Sequence, residues 1–332
     1  MKRLKKLLLI AEIGSVHDGS FGNACKLIEL AKESGATAVK FQLHDADNET
    51  IINAPNPQYF KDEKRYEYFK RTTFNFDQLT KLKNLSHKLK LQFIVSPFSI
   101  EAAKKLKQLN IDGYKIASGE VTNHPMLKLI STFNKNIFMS TGMSNYKEIK
   151  NAVNLFNRNK LVLMQCTSKY PCPANKVGLN VLNEFKKFNC ILGFSDHTDG
   201  FAAAISFIAH GVTVVEKHIT FSKKMYGSDA KNSMEPGEFK KFSNELKNAL
   251  IIHETKIDKN NIKDFLIMRK TFQKSIYIKS LIQKGTTLNL DNIAFKKPDI
   301  GISAAEYKKI IGKKISRTLI KNHKLTYKDI LK

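Results

Sequence analysis

The feature that most constrains this chain is an alternation. Eight short segments rich in Ile, Val, Leu and Phe recur at residues 7–13, 38–42, 91–95, 113–117, 137–140, 161–166, 191–194 and 213–218. Longer amphipathic stretches lie between them, at 23–34, 76–89, 100–109, 146–156 and 201–210; in the first of these, Leu27, Ile28, Leu30 and Ala31 share one side. Continuous apolar runs are what strands buried on both faces require, and helical periodicity between them supplies the cover. Eight such units in about 250 residues predict an α/β fold, a (β/α)8 TIM barrel. A doubly wound parallel sheet is the alternative.

Two regions break the alternation. Residues 48–74 are polar and aromatic, with Tyr59, Phe60, Tyr66, Tyr68 and Phe69, and read as an insertion after the second strand at the mouth of the barrel. After residue 255 the style changes to short alternating segments and turns. The expected organisation is a catalytic barrel over 1–255, a linker over 256–269 and a small β-rich domain over 270–332. In the last, Lys284-Gly285 marks a turn.

Composition narrows the function classes. The formal net charge is +26 over 332 residues. The basic residues are dispersed and form no Arg-rich block, so no nucleic-acid partner is expected; a positive field would favour an anionic substrate. No apolar run is long enough to span a membrane. The basic-then-apolar start, Met1 to Ile10, has no small-residue cleavage site after it, and a cytoplasmic protein is expected. Cys25, Cys166, Cys172 and Cys190 form no CxxC pair and read as small buried hydrophobes.

In a TIM barrel the chemistry gathers at the C-terminal ends of the strands. Those ends are densely polar here: Glu12, Lys40 and Gln42, Ser96, Lys115 with Ser118 and Glu120, Ser140, Tyr170, Ser195 with His197, and Glu216-Lys217-His218. A lysine inside an apolar strand is costly without a partner. Lys40 and Lys115 therefore either pair with a barrel glutamate or bind a phosphate or carboxylate, helped by nearby hydroxyls; a Schiff-base lysine is a third option. His197 and His218, on adjacent strands, suit a shared divalent metal. Asp229 is placed to accept from sugar hydroxyls or to make an Asx turn. His17 is a further candidate near the mouth. His44, His87, His124, His210, His253 and His323 read as surface or packing residues.

These motifs, in this order, resemble the sialic acid (nonulosonic acid) synthase family. The matching stretches are Ile10-Ala-Glu-Ile-Gly14, Gly35-Ala-Thr-Ala-Val-Lys-Phe-Gln42, Ser96-Pro-Phe98, Tyr114-Lys-Ile-Ala-Ser-Gly-Glu120, Ser140-Thr-Gly-Met-Ser144, Cys166-Thr-Ser168, Gly193-Phe-Ser-Asp-His-Thr198 and Glu216-Lys-His218. Lys297-Pro298, Gly301-Ile-Ser303 and Gly312-Lys-Lys314 resemble an antifreeze-like SAF domain. The resemblance implies condensation of phosphoenolpyruvate with an open-chain N-acylhexosamine, such as N-acetylmannosamine, to give an N-acetylneuraminate-type product; legionaminate and pseudaminate are alternatives. It implies Lys40, Lys115, Ser118 and Ser140 for phosphoenolpyruvate. Gln42, Tyr170, Ser195 and Asp229 fall to the sugar, Glu12 and Glu120 to the catalytic acids, and His197 and His218 to Mn2+ or Mg2+. It also implies a domain-swapped homodimer whose SAF domain caps the partner's barrel. Three positions depart from the family pattern: Lys297 stands where an acyl-binding arginine is usual, Val16 replaces an asparagine, and Ala230 replaces a histidine.

Overall fold

The computed structural model describes residues 6–56, 60 and 62–331; Tyr59 and the first five residues lie outside the described set. The chain divides into two compact units, Met1–Thr255 and Lys256–Lys332. In the first, eight parallel strands close into a barrel: β1 Leu8–Gly14, β2 Ala38–Leu43, β3 Gln92–Pro97, β4 Gly113–Ile116, β5 Asn136–Ser140, β6 Leu161–Cys166, β7 Ile191–Asp196 and β8 Val214–His218, with β8 pairing back onto β1. Each matches an expected segment to within one or two residues. The doubly wound sheet is thereby excluded, because closure leaves no edge strand.

Strand periodicity builds the site. Alternate residues point to opposite faces, and one parity turns inward. Ile10, Ala38, Ile94, Phe138, Val162, Met164 and Val214 form a separate apolar cluster that plugs the N-terminal half of the barrel. Two residues further along, the same inward parity carries Glu12, Lys40, Ser96, Ser140 and Glu216, all buried. The opposite parity faces the helices: Leu9, Ala11, Val39, Phe41, Val95 and Val215 join the main core. Side-chain caps start the covering helices, with Ser20 before Phe21–Glu33, Asn75 before Phe76–Lys88 and Asn145 before Tyr146–Val153. Among the described residues no helix is long and apolar enough to cross a membrane. Among the described residues, the insertion holds the end of a short helix, Ala46–Glu49, and the helix Arg65–Thr72.

In the second unit, β9 Ser275–Ile278 and β10 Ile293–Lys296 pair antiparallel over a core that includes Ile276, Leu288, Ile302, Ile315 and Leu325. The stretch 256–269 is more ordered than a linker composition suggests, since it holds a turn at Lys263–Phe265 and the start of a helix, Leu266–Phe272. Asp329 organises the end of the chain. It is fully buried and accepts from Thr326 N (2.9 Å) and Oγ1 (2.8 Å), from Arg317 Nε (2.9 Å) and Nη2 (2.7 Å), and from His323 Nε2 (3.1 Å). Burial raises its pKa, but these donors more than reverse that and bring it from 3.8 to about 2. Its stabilisation is therefore complete above about pH 4 and is lost as pH falls through about 2. Asp329→Ala is expected to destabilise this unit by roughly 2–4 kcal/mol at neutral pH. Amide hydrogen exchange over residues 273–331 reads this directly, and unchanged protection would show that Asp329 is not a hub.

Candidate active site

A cavity of about 460 Å³ opens at the C-terminal ends of the strands. Its floor is an ionic layer. Lys40 Nζ lies 2.8 Å from Glu12 Oε1 and 3.7 Å from Glu216 Oε1, and Lys115 Nζ lies 3.1 Å from the same Glu216 oxygen. One carboxylate thus bridges two buried ammonium groups. Burial would raise the Glu216 pKa, but Lys115 and Lys40 together bring it down to about 2. Glu12 goes the other way. Burial outweighs the pull of Lys40, the neighbouring charges of Glu216 and Asp229 add to it, and its pKa rises to about 7. Burial alone would discharge Lys40, yet Glu12 and Glu216 overcome that and hold its pKa above the ordinary value. An ammonium held so firmly is the wrong form for a Schiff-base nucleophile.

Hydroxyls surround this layer. Ser195 Oγ donates to Glu216 Oε1 (3.4 Å), and Ser118 Oγ accepts from Gly142 N (3.1 Å). Ser140 Oγ, Glu12 Oε2 and Glu216 Oε2 are buried with no hydrogen-bond partner in the protein. Buried polar atoms seldom stay unpaired, and these face a cavity that can hold a polar ligand.

Asp229 closes one side. Its Oδ2 accepts from Ser15 N (3.2 Å) and Ser15 Oγ (3.1 Å), and its Oδ1 from Ser228 Oγ (3.0 Å). Tyr68 Oη donates to Ser15 Oγ (2.9 Å), which ties the insertion to the end of β1. This approach needs Gly14: its φ is +53°, and a Cβ there would sit 2.5 Å from Asp229 Oδ2. The β1–β2 register also slips between Glu12 and Gly14, a bulge that turns the strand end toward the cavity.

His197 and His218 face one another across 5.8 Å between ring centroids. His197 Nδ1 lies 2.9 Å from the Thr167 carbonyl, and its Nε2 lies 3.2 Å from Tyr170 Oη. Burial, with help from His197 and Lys40, brings the His218 pKa down to about 4, so it is neutral at pH 7, and its buried Nδ1 has no hydrogen-bond partner in the protein. A neutral imidazole with an open nitrogen is what a metal requires. Among the described residues no three His, Cys, Asp or Glu side chains converge as a ready-made metal cage. His218 meets the requirement for a neutral imidazole as it stands. Burial would lower the His197 pKa too, but Cys166 and the Thr167 carbonyl outweigh it. His197 would therefore have to release a proton to serve as second imidazole of a divalent ion whose remaining shell comes from solvent or substrate oxygens.

Eleven of the residues expected from the sequence line this one cavity: Glu12, Lys40, Gln42, Lys115, Ser118 and Ser140 on one part of the wall, Tyr170, Ser195, His197, His218 and Asp229 on the rest. Two do not. Glu120 lies on the turn Ser118–Glu120 and accepts from Asn123 Nδ2 (2.8 Å), near Glu49 and His44 but outside the lining. Lys297 belongs to the second unit, where its Nζ lies 5.2 Å from the centre of the Phe272 ring. His17 is buried against Phe41 and Phe74 with Gly19 N donating to its Nδ1 (3.1 Å), a packing role. Cys166, expected to be inert packing, lines the cavity 3.7 Å from His197 Nδ1. Glu216, Ser15, His44 and the insertion's Phe60, Arg65, Tyr68 and Phe69 are lining residues that motif reading did not single out as sites. A second cavity of about 560 Å³, walled by groups such as Val177, Leu179 and Phe207, holds one carboxylate and no lysine or histidine, so the chemistry belongs to the first.

The sequence pattern of the NeuB family matches residues 27–258, and that of the SAF domain matches residues 273–331. The chain is 36% identical to an N,N'-diacetyllegionaminic acid synthase of Campylobacter jejuni over 93% of its length and 96% of the relative's. It is 29% identical to a pseudaminic acid synthase of the same species, over 95% and 94%. The crystal structure of an N-acetylneuraminic acid synthetase from Leptospira borgpetersenii superposes with a TM-score of 0.69 at 25% identity, covering 81% of this chain and 93% of that one. Barrel, ionic floor and sequence kinship agree: this chain belongs to the NeuB family.

Proposed function

We propose that the protein is a nonulosonic acid synthase that condenses phosphoenolpyruvate with the open-chain aldehyde of an N-acylhexosamine. The observation that carries this reading is the Lys40–Glu216–Lys115 bridge, two buried cations on an enclosed floor with partnerless hydroxyl and carboxylate oxygens beside them. Phosphoenolpyruvate brings a phosphate and a carboxylate, and Lys40, Lys115, Ser118 and Ser140 supply charge-assisted donors for both. In the reaction its C3 bonds to the aldehyde carbon. Water adds to C2, and the C2–O bond to phosphate breaks. The water oxygen becomes the new keto group; one of its protons goes to the aldehyde oxygen and the other leaves with phosphate. Glu12, with a pKa of about 7, exchanges a proton readily at neutral pH and is our candidate for that transfer. Gln42, Tyr170, Ser195 and Asp229 orient the sugar hydroxyls. His197 and His218 would hold Mn2+ or Mg2+, which as a Lewis acid polarises the aldehyde.

The acceptor expected from the sequence is N-acetylmannosamine-like. The 36% identity to a diacetyllegionaminic acid synthase favours a 2,4-diacylamino sugar as a second reading. We further propose a cytoplasmic, domain-swapped homodimer in which Lys297 reaches the partner's acceptor. The test is phosphate release from phosphoenolpyruvate with manganese, against N-acetylmannosamine, its 6-phosphate, 2,4-diacetamido-trideoxyhexoses and mannose. Release with one N-acylated sugar is the expected result. A folded protein that releases phosphate with none of them contradicts the proposal.

A further inference from the structure

His44 is the first residue beyond β2 and shares the inward parity of Lys40 and Gln42. It is buried, and both faces of its ring are covered. Phe69, from the helix Arg65–Thr72, stacks on one face at 3.8 Å and 4° between planes; Phe98, just after β3, stacks on the other at 4.4 Å and 13°. Both ring nitrogens are tied at the edge. Nδ1 lies 2.8 Å from Glu49 Oε1, and Nε2 lies 3.0 Å from Gln42 Oε1. Glu49 is itself fixed, because its Oε2 accepts from Asp45 N (3.0 Å). The ring cannot turn without breaking two stacks and two polar contacts.

The consequence falls on Gln42. Its amide has two ends that differ only in donor and acceptor character. Nε2 donates to Glu12 Oε1 at 2.9 Å while Oε1 lies 3.0 Å from His44 Nε2 and accepts there when that nitrogen carries a hydrogen. With that hydrogen in place and Glu12 ionised, a flipped amide would set its NH2 against the N–H of His44 and its carbonyl against the carboxylate, so both contacts favour the observed orientation. We infer that His44 is a positioning residue, which acts through the Gln42 amide to orient Glu12 beside Lys40. The linked side chains run from Glu49 through His44 and Gln42 to Glu12, so the insertion helps to set the geometry of the barrel floor.

This inference rests on the proposed synthase reading for its kinetic readout, and the test separates the two. His44→Phe keeps an aromatic ring between Phe69 and Phe98 and deletes both nitrogens. Its expected effect is a roughly 10–100-fold loss of kcat/KM for phosphate release, with thermal unfolding close to that of the parent. In a Gln42→Ala background the same change is expected to cost less than about 2-fold, because the amide through which it acts is gone. Should His44→Phe fail to fold, Glu49→Gln replaces it in the same cycle, with a smaller loss that also vanishes in the Gln42→Ala background. Full activity of His44→Phe, or an equal loss in both backgrounds, overturns the inference and leaves a packing role only. A second readout needs no turnover. In 15N-histidine-labelled protein the His44 Nε2 resonance should move on Gln42→Ala, and an unmoved resonance overturns the link. If the parent releases no phosphate but the resonance moves, the synthase reading fails while the positioning link stands.

Discussion

Glu216→Gln is expected to lower kcat/KM for phosphate release by about 10²–10³-fold, the size of effect seen when one preorganised electrostatic partner is removed from an active site. The carboxylate is the shared counter-charge of Lys40 and Lys115, at 3.7 and 3.1 Å, and no other acid contacts Lys115 among the described residues. The amide keeps the shape but not the charge. It leaves two buried ammonium groups with one carboxylate, Glu12, beside only one of them. Breaking a buried pair on one side costs about 3–5 kcal/mol, so denaturant unfolding should show a comparable loss. The pH signature has a fixed sign. The folded-state pKa of Glu216 lies below its ordinary 4.5, at about 2, so its stabilisation is present above about pH 4.5 and is lost as pH falls through about 2. The parent should weaken in that window and the variant should lack this component. A second consequence falls on Glu12, whose raised pKa depends partly on Glu216. Its titration, read from the pH–rate profile, should move to lower pH. A variant with full activity and an unmoved profile would remove the ionic floor from the mechanism.

The legible and illegible parts of this site divide along strand periodicity. Barrel strands announce themselves because both of their faces are buried, and the polar residues that interrupt such runs stand out for the same reason; Lys40 and Lys115 are visible in this way. Glu216 was equally visible as a residue, but Glu216-Lys217-His218 reads as one motif. Only the period of two separates its members. Glu216 and His218 face inward, whereas Lys217 turns outward to pair with Asp196 (3.1 Å) beneath Phe242. The same parity, continued past the end of β2 from Lys40 and Gln42, reaches His44, which composition alone assigns to packing. The insertion is different. Phe60, Arg65, Tyr68 and Phe69 follow no strand or barrel period, and their placement is set by tertiary contacts such as the Tyr68–Ser15 bond and the stack of Phe69 on His44. Glu120 is a different case. It sits in a matching motif, and its carboxylate accepts from Asn123 on the local turn, next to the lining residues Ser118 and Gly119 rather than among them. Motif membership fixes where a backbone goes more firmly than where a side chain points.

His218→Ala is expected to remove activity to below about 1% of the parent, the loss of at least two powers of ten that follows when a Lewis acid leaves its site. The variant should also lose manganese binding, measured by calorimetry on the protein without substrate. The two readouts together matter. His218 Nδ1 is buried with no hydrogen-bond partner in the protein, and the ring lies beside His197 and Tyr170 on the cavity wall. As a packing residue it would cost stability when truncated, with metal affinity unchanged. As one of two imidazole ligands it would cost metal affinity with little loss of fold, because its Nδ1 has no protein hydrogen bond to forfeit and its neutral form carries no buried charge. The third combination, metal binding retained and activity lost, would place the ion elsewhere and make His218 a direct contact to substrate. His197→Ala supplies the control. Its Nδ1 is already committed to the Thr167 carbonyl, which leaves only Nε2, on the Tyr170 side, to serve a ligand. If both variants lose manganese and keep their fold, the ion sits between β7 and β8, within reach of the aldehyde end of any acceptor that fills the cavity above Lys40 and Lys115.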